Sequence, residues 1–150
     1  MTFSEVALEY ARGVVAGDIP ACGYVRQACQ RQIDDLEKPP AGYRFDEAKA
    51  DTICRFVELC PHIKGPAASR GETLRLEPWQ AFILTTVFGW VDDDGNRRFR
   101  RVYIEVPRGN GKSALSSTIG LFMLAFDGEE NAAPLQEIRN RRNGTGNCPA

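Results

Sequence analysis

The segment 101–113, which reads RVYIEVPRGNGKS, constrains the fold of this chain more than any other stretch. Apolar residues alternate at Val102, Ile104 and Val106, and a loop with two glycines follows and ends in Gly-Lys-Ser. This order predicts a strand, a tight loop whose backbone N–H groups face inward, and a helix that begins at Lys112. Proteins use such a strand, loop and helix to hold phosphate groups.

The last two residues of the segment have the chemistry that a nucleoside triphosphate requires. The Lys112 ammonium would lie between the β- and γ-phosphates, and the Ser113 hydroxyl would bind the magnesium ion that bridges them. The usual pattern G-x-x-x-x-G-K-[ST] has glycine where this chain has Val106. The alternative is that Gly-Lys-Ser opens an ordinary helix after a turn. The apolar, proline-free stretch 112–126 favours the phosphate loop, because a buried crossover helix has this composition.

Composition and charge describe a soluble globular domain without a general affinity for polyanions. The chain has 150 residues, of which 43% are hydrophobic and 26% charged, and 19 basic residues stand against 20 acidic ones. Contact with DNA would therefore need a local basic patch. The four arginines of such a patch either bind DNA or keep an exposed hairpin edge soluble; they are Arg97, Arg98, Arg100 and Arg101.

The cysteines indicate a reducing compartment. Five cysteines, with no C-x-x-C pair among them, argue against a disulfide framework. Cys54, Cys60 and His62 lack the fourth ligand of a zinc site, so we interpret Cys54 as a small buried residue on a helix face. The sequence shows neither a signal peptide nor a membrane-spanning run, and we expect a cytoplasmic protein.

Apolar spacing predicts several helices before the loop. Residues recur at i, i+3 and i+4 in three stretches, and Pro78 opens a further helix in its first turn. The three stretches are 4–15, with Ser4 as a possible cap, 22–36 and 46–60.

The remaining segments are predicted as loops and one hairpin. A polar loop is expected over 62–73, and Asp94-Gly95 is expected at the tip of a hairpin whose second strand is 98–106. Residues 127–150 are poor in apolar side chains, so we expect a mobile tail or a weak helix near 134–141.

Hydrolysis would need carboxylates that we do not find beside the loop. Asp127 ends an apolar run, but that run continues the helix begun by Lys112 and would place the carboxylate about 20 Å away. The aspartates at 92–94 suit a turn.

Two stretches, joined by a hairpin, read LEPWQAFILTTVFGW and RRFRRVYIEVPRGNGKSALSSTIGLFMLAF. Together they resemble the start of the ATPase domain in large subunits of tailed-phage terminases. These proteins are motors that package viral DNA. The resemblance runs from about residue 7 to about residue 130, and Pro-Arg before the glycines is typical of the family's loop. It implies an α/β, incomplete P-loop NTPase fold of N-terminal helices, a β-hairpin, a phosphate-binding (Walker A) loop and a crossover helix. The implied division is a helical region over 1–60, the start of the ATPase domain over 61–130 and a divergent tail over 131–150.

The resemblance also implies roles for single residues, with ATP and Mg²⁺ as the ligands. Gln80 would recognise adenine, unless it is only a polar residue on a helix surface. Arg108 would approach the γ-phosphate, unless it anchors the loop to a nearby carboxylate. The residues expected to hold the nucleotide are Gln80, Arg108, Gly109, Asn110, Gly111, Lys112 and Ser113, with Arg108 and Lys112 catalytic and Ser113 on the metal.

By resemblance, the partners are double-stranded DNA, a portal protein and a terminase small subunit, in an oligomeric ring inside the bacterial host. Family members continue with strands that carry a magnesium-binding acid and a catalytic glutamate, and then with a nuclease domain. The tail 131–150 shows none of these, so we expect a truncated, frame-shifted or split product of a bacteriophage or prophage, with little ATP turnover and with a tendency to self-associate.

Two alternatives stay open. One is a small self-contained nucleotide kinase that uses Lys112 and Ser113, and the other is a non-enzymatic interaction module with a vestigial loop.

Overall fold

A computed structural model describes residues 1–62 and 65–126, and one helix lies at the centre of the described part. This central helix, α5 (Pro78–Gly89), is apolar around its whole circumference, and eight of its residues from Gln80 onward are buried. A helix of that composition is stable only when other elements surround it. The other elements are α1 (Phe3–Ala16), α2 (Gly23–Glu37), β1 (Arg44–Phe45), α3 (Glu47–Leu59), α4 (Gly65–Ser69), β2 (Trp90–Val91) and α6 (Lys112–Ala125).

Two apolar clusters meet at α5. Phe82 belongs to a cluster with residues of α1 and α2, whereas Leu84 and Phe88 belong to a cluster with residues of α3 and α6. The second cluster crosses the predicted boundary at residue 60, because Ile53, Cys54 and Val57 of α3 are part of it. That boundary remains a prediction.

A two-stranded antiparallel sheet joins the end of α5 to the segment before α3. Arg44 pairs with Val91 and Phe45 with Trp90. Gly89 is required at this crossing, because a β-carbon there would overlap the Phe45 ring.

The buried indole of Trp90 ties this sheet to α2. Its Nε1–H donates to Gln32 Oε1 at 2.8 Å, and both side chains are buried. The interior therefore holds a satisfied polar pair, as buried donors and acceptors require.

The predicted helices are confirmed with small changes at their ends. Thr2, and not Ser4, caps α1: the Thr2 hydroxyl accepts the Glu5 N–H at 3.1 Å, and Glu5 Oε2 accepts the Thr2 N–H at 2.6 Å. Ser4 instead donates its N–H and its hydroxyl to Asp51 of α3, each at 3.2 Å. The expected loop over 62–73 contains the short helix α4.

The predicted turn at 92–96 is confirmed, but the predicted hairpin strand over 98–106 is wrong. The Asp92 N–H donates to Asn96 O at 2.9 Å and Gly95 has φ 84°. A single bridge then joins Val91 to Arg97, and residues 98–106 form no strand. The Arg98 N–H still donates to Trp90 O at 2.9 Å, but β2 begins at Trp90 directly after α5, so within 1–62 and 65–126 it has no further residue to pair with those after Arg98.

The mixture of helices with a small sheet is compatible with the expected α/β class. The expectations for the tail fall on residues outside the described ranges. Among the helices that the structure describes, none is long and apolar enough to cross a membrane.

The N-terminus of α3 provides a test of the helical part. Asp46 Oδ1 accepts the Lys49 N–H at 3.0 Å, and this hydrogen bond lowers the pKa of the Asp46 carboxyl. We expect Asp46→Ala to lower the free energy of unfolding by about 1 kcal/mol, and Asp46→Asn by only a few tenths, because asparagine also caps.

The pH dependence has a definite sign. Because the folded-state pKa is lowered, the contribution of Asp46 is present above the usual carboxyl pKa of about 3.9 and is lost as the pH falls through the folded value. Urea unfolding across this range should show a smaller acid loss for Asp46→Asn than for the parent chain. An equal acid loss in both proteins would contradict the role of the Asp46 carboxylate.

Candidate functional site: a glycine loop and its cleft

The loop before α6 bends at two glycines. Gly109 has φ 92° and Gly111 has φ 70°, both in the left-handed region where residues with a β-carbon are strained. Gly111 is the N-cap of α6, and its carbonyl accepts the Leu115 N–H at 3.0 Å. The predicted helix start at Lys112 is therefore confirmed.

The start of α6 presents backbone donors. In any α-helix the first N–H groups have no partner within the helix, and the helix dipole adds partial positive charge at the same end. Here these groups belong to Lys112, Ser113 and Ala114. Together with the left-handed glycines they form a loop suited to an anion.

Core packing holds this helix start in place. Leu115, Ile119 and Phe122 are buried on the inner face of α6. The Phe122 ring lies edge-on to Phe88 of α5, with centroids 5.6 Å apart, and 5.4 Å from Phe56 of α3. The loop is thus carried by a helix that is itself fixed to α3 and α5.

Hydrogen bonds close the loop on itself. Lys112 Nζ donates to the Val106 carbonyl at 2.5 Å, and Asn110 Nδ2 donates to the Pro107 carbonyl at 3.1 Å. Val106 takes part in this closure through its backbone carbonyl, and any residue at position 106 would provide one. The absence of glycine at position 106 is therefore compatible with the loop.

A cleft of about 500 Å³ separates the loop from the start of α5. One part of its wall is apolar and includes Leu74, Leu76 and Leu115. The remaining lining residues are Val57, His62, Arg75, Glu77, Trp79, Gln80, Gly109, Asn110, Gly111 and Ala114.

Gln80 lines this cleft, and a hydrogen bond fixes the orientation of its side-chain amide. Its Oε1 accepts the Glu77 N–H at 2.9 Å, and the residue is 8% exposed. Its Nε2 lies 3.6 Å from the point that a β-carbon on Gly111 would occupy. The structure therefore brings Gln80 next to the loop, with the donor end of the amide toward Gly111.

The structure places the other predicted residues beside the cleft rather than in its lining. Arg108 and Ser113 are exposed, and Lys112 is half-buried on the side of Val106. The roles predicted for these three residues toward the γ-phosphate and the metal stay predictions.

Sequence reasoning missed part of the cleft wall. His62 begins the stretch 62–73 that was interpreted as a loop, and Arg75 follows that stretch without an assigned role, yet both line the same cleft as Gln80. The alternation in Leu74-Arg75-Leu76 would have placed Arg75 on the face opposite the two leucines, so local sequence gave no signal for its position in the cleft wall.

The basic patch is partly used for packing. The Arg97 guanidinium lies 5.1 Å from the centre of the Phe88 ring. Arg98 donates to Asp35 at 2.6 Å and lies within 6 Å of three aromatic rings. Arg100 and Arg101 are exposed. Of the four arginines, these two have the exposure that contact with a polyanion needs.

No metal cluster is found in the described ranges. Within them no group of three or more His, Cys, Asp or Glu side chains could hold a metal ion. Cys54 is fully buried in the core, as predicted, and this burial raises the pKa of its thiol to about 12. A thiol that stays protonated is a poor metal ligand and a poor nucleophile.

The glycine loop, the helix that it opens and the adjoining cleft form the kind of loop-to-helix anion site that nucleotide-binding proteins use. Residues 78–136 match a family model described as the terminase large subunit, ATPase domain. The match begins at the first residue of α5 and includes the turn, the loop and α6, so it confirms the predicted resemblance. No curated protein and no solved structure matches the chain.

Proposed function

We propose that this chain is the nucleotide-binding, N-terminal part of a terminase-type large subunit, an ATP-driven motor that packages double-stranded viral DNA into a procapsid. One observation carries the proposal: Gln80 and the backbone of residues 109–111 line one cleft at the start of α6, inside the segment that matches the family. A side chain that recognises a base and a loop that binds phosphates would serve one function when a single ligand contacts both.

The loop residues suit the phosphates and Mg²⁺. When bound, Mg²⁺ neutralises phosphate charge, and the Ser113 hydroxyl at the first turn of α6 is the side chain that would hold it. The Lys112 ammonium would leave the Val106 carbonyl for the β- and γ-phosphates, and exposed Arg108 would reach the γ-phosphate. The start of α6 fits this assignment, because the first N–H groups of a helix and the helix dipole favour an anion at that end.

The cleft suits the base and sugar. Its volume of about 500 Å³ lies in the range of small-molecule sites, which span about 300–1,000 Å³. Apolar walls at Leu74 and Leu76 would cover a flat ring, and the Gln80 Nε2–H would donate to a ring nitrogen.

Among the described residues that line the cleft, Glu77 is the one acid, and it lies at the Gln80 end. The described lining therefore offers no carboxylate beside the loop to orient an attacking water. We propose that this part of the protein binds ATP and turns it over slowly. DNA, a portal protein and a terminase small subunit are the partners of the whole motor.

One prediction for the proposed site concerns Lys112. Titration of labelled ATP with Mg²⁺, followed by fluorescence anisotropy, should show saturable binding by the parent chain and at least about tenfold weaker binding by Lys112→Ala, since the contact between the ammonium and the phosphates is lost. Lys38→Ala is the matched control, because it removes an exposed lysine at the end of α2 and should bind normally.

The same titration separates the alternatives. Equal binding by the parent chain and Lys112→Ala would contradict a nucleotide site and favour an interaction module with a vestigial loop. Rapid, Lys112-dependent hydrolysis would favour a self-contained enzyme instead.

Another prediction for the proposed site concerns Gln80. Gln80→Glu keeps an oxygen for the Glu77 N–H but removes the donor that faces the cleft. ATP affinity should fall by about tenfold, while the affinity for Mg²⁺-tripolyphosphate, which has no base, should change much less. Competition titrations measure both. An equal loss for the two ligands would show that Gln80 acts on the loop and not on the base.

A further inference from the structure

Gln80 is the one buried polar side chain among the described residues that line the cleft. The other polar lining residues are exposed or half-buried; they are His62, Arg75, Glu77, Trp79 and Asn110. A buried polar group discriminates between ligands more strongly than an exposed one, because water does not replace a partner that the ligand fails to provide. Selectivity for the base therefore depends mainly on Gln80.

The start of α5 fixes which end of the Gln80 amide faces the loop. The Oε1 atom accepts the Glu77 N–H at 2.9 Å, and Nε2 lies 3.6 Å from the point that a β-carbon on Gly111 would occupy. Exchanging the oxygen and the nitrogen would set the amide N–H groups against the Glu77 N–H, donor against donor. Gln80 therefore presents a donor beside the loop, while the backbone engages its acceptor.

The place of this donor indicates the edge of a purine that it meets. In a nucleotide whose base is anti, C8 and N7 of the purine lie on the side of the 5′ phosphates, and the phosphates belong at Gly111. N7 is an acceptor in both adenine and guanine. The two bases differ at position 6, where adenine has an amino donor and guanine a carbonyl acceptor. Recognition of adenine alone would need an acceptor for the amino group, and Gln80 Oε1 is already engaged.

We propose, on the basis of the nucleotide site proposed above, that Gln80 recognises purines as a class through N7. ATP and GTP then bind with similar affinity, and CTP and UTP bind weakly. Pyrimidines lack N7, and their smaller ring covers less of the apolar wall at Leu74 and Leu76.

Replacement of one atom of the nucleotide tests the contact with N7. In 7-deaza-ATP a C–H group stands in place of N7. Competition titrations against labelled ATP with Mg²⁺, on the full 150-residue chain, should give dissociation constants for ATP and GTP within about threefold of each other. The constants for 7-deaza-ATP, CTP and UTP should be at least about tenfold higher, because each of these ligands leaves the Gln80 donor without its acceptor.

Gln80→Glu tests the same contact from the side of the protein. Its carboxylate keeps an oxygen for the Glu77 N–H but has no donor for N7. The ratio of the dissociation constants of 7-deaza-ATP and ATP should therefore fall from about tenfold or more to about one. This ratio cancels the repulsion that the added charge exerts on the phosphates of both ligands. Gln27→Glu makes the same change on the exposed side of α2 and should leave the ratio as in the parent chain.

Three results would overturn recognition through N7. They are a preference of about thirtyfold or more for either purine, equal binding of ATP and 7-deaza-ATP by the parent chain, and a ratio that Gln80→Glu leaves unchanged. Nucleotides still bind in each of these cases, so the nucleotide site itself would stand. An absence of saturable binding by every one of these nucleotides would instead contradict the nucleotide site, and with it the role of Gln80. Circular dichroism establishes that each variant is folded.

Discussion

The packing of α6 against α3 and α5 is the interaction on which the candidate site depends. Leu115, Ile119 and Phe122 form the inner face of α6 and are buried in the cluster that holds Ile53 and Leu84. Removing this apolar area from water supplies the main driving force for docking the helix. Because the loop is continuous with the first turn of α6, this packing also determines where the phosphate-binding backbone lies. The same cluster includes Leu84 and Phe88 of α5, so α5 and α6 are held together and Gln80 and Gly111 meet across a cleft.

The apolar periodicity of the sequence predicts the helices well, since amphipathic spacing states directly which face is buried. The strand before the loop shows the limit of that reasoning. The alternation of apolar residues at Val102, Ile104 and Val106 predicts which side chains of a strand would share one face. A strand also needs a neighbouring strand that provides backbone hydrogen bonds. Within the described ranges the pairing with β2 ends at Arg98, whose N–H donates to Trp90 O, and residues 98–106 form no strand. Cap identity was similarly hard to predict, because Ser4 and Thr2 are both good caps and the distant Asp51 decides between them by accepting from Ser4.

The candidate site could be predicted in part. The glycines and Lys112 follow from a local pattern with a clear physical purpose, and their backbone conformation agrees with it. The proximity of Gln80 to the loop was expected only from the family resemblance, since some thirty residues separate them in the chain. His62 and Arg75 could not be assigned to the cleft from local sequence, because a cleft wall is formed by the way separate segments fold together. The departure at Val106 is explained by the structure, in which the backbone of that residue, and not its side chain, contacts Lys112.

The central claim is that one ligand spans the loop and the cleft, and nuclear magnetic resonance tests it most directly. In a ¹⁵N-labelled sample titrated with Mg²⁺-ATP, the backbone amides of residues 109–113 and the side-chain amide of Gln80 should shift together along one saturable curve. The amides of α2, which contributes no residue to the cleft lining, should stay in place. A titration in which the loop amides do not move, or in which they and the Gln80 amide respond with different affinities, would contradict a single nucleotide site.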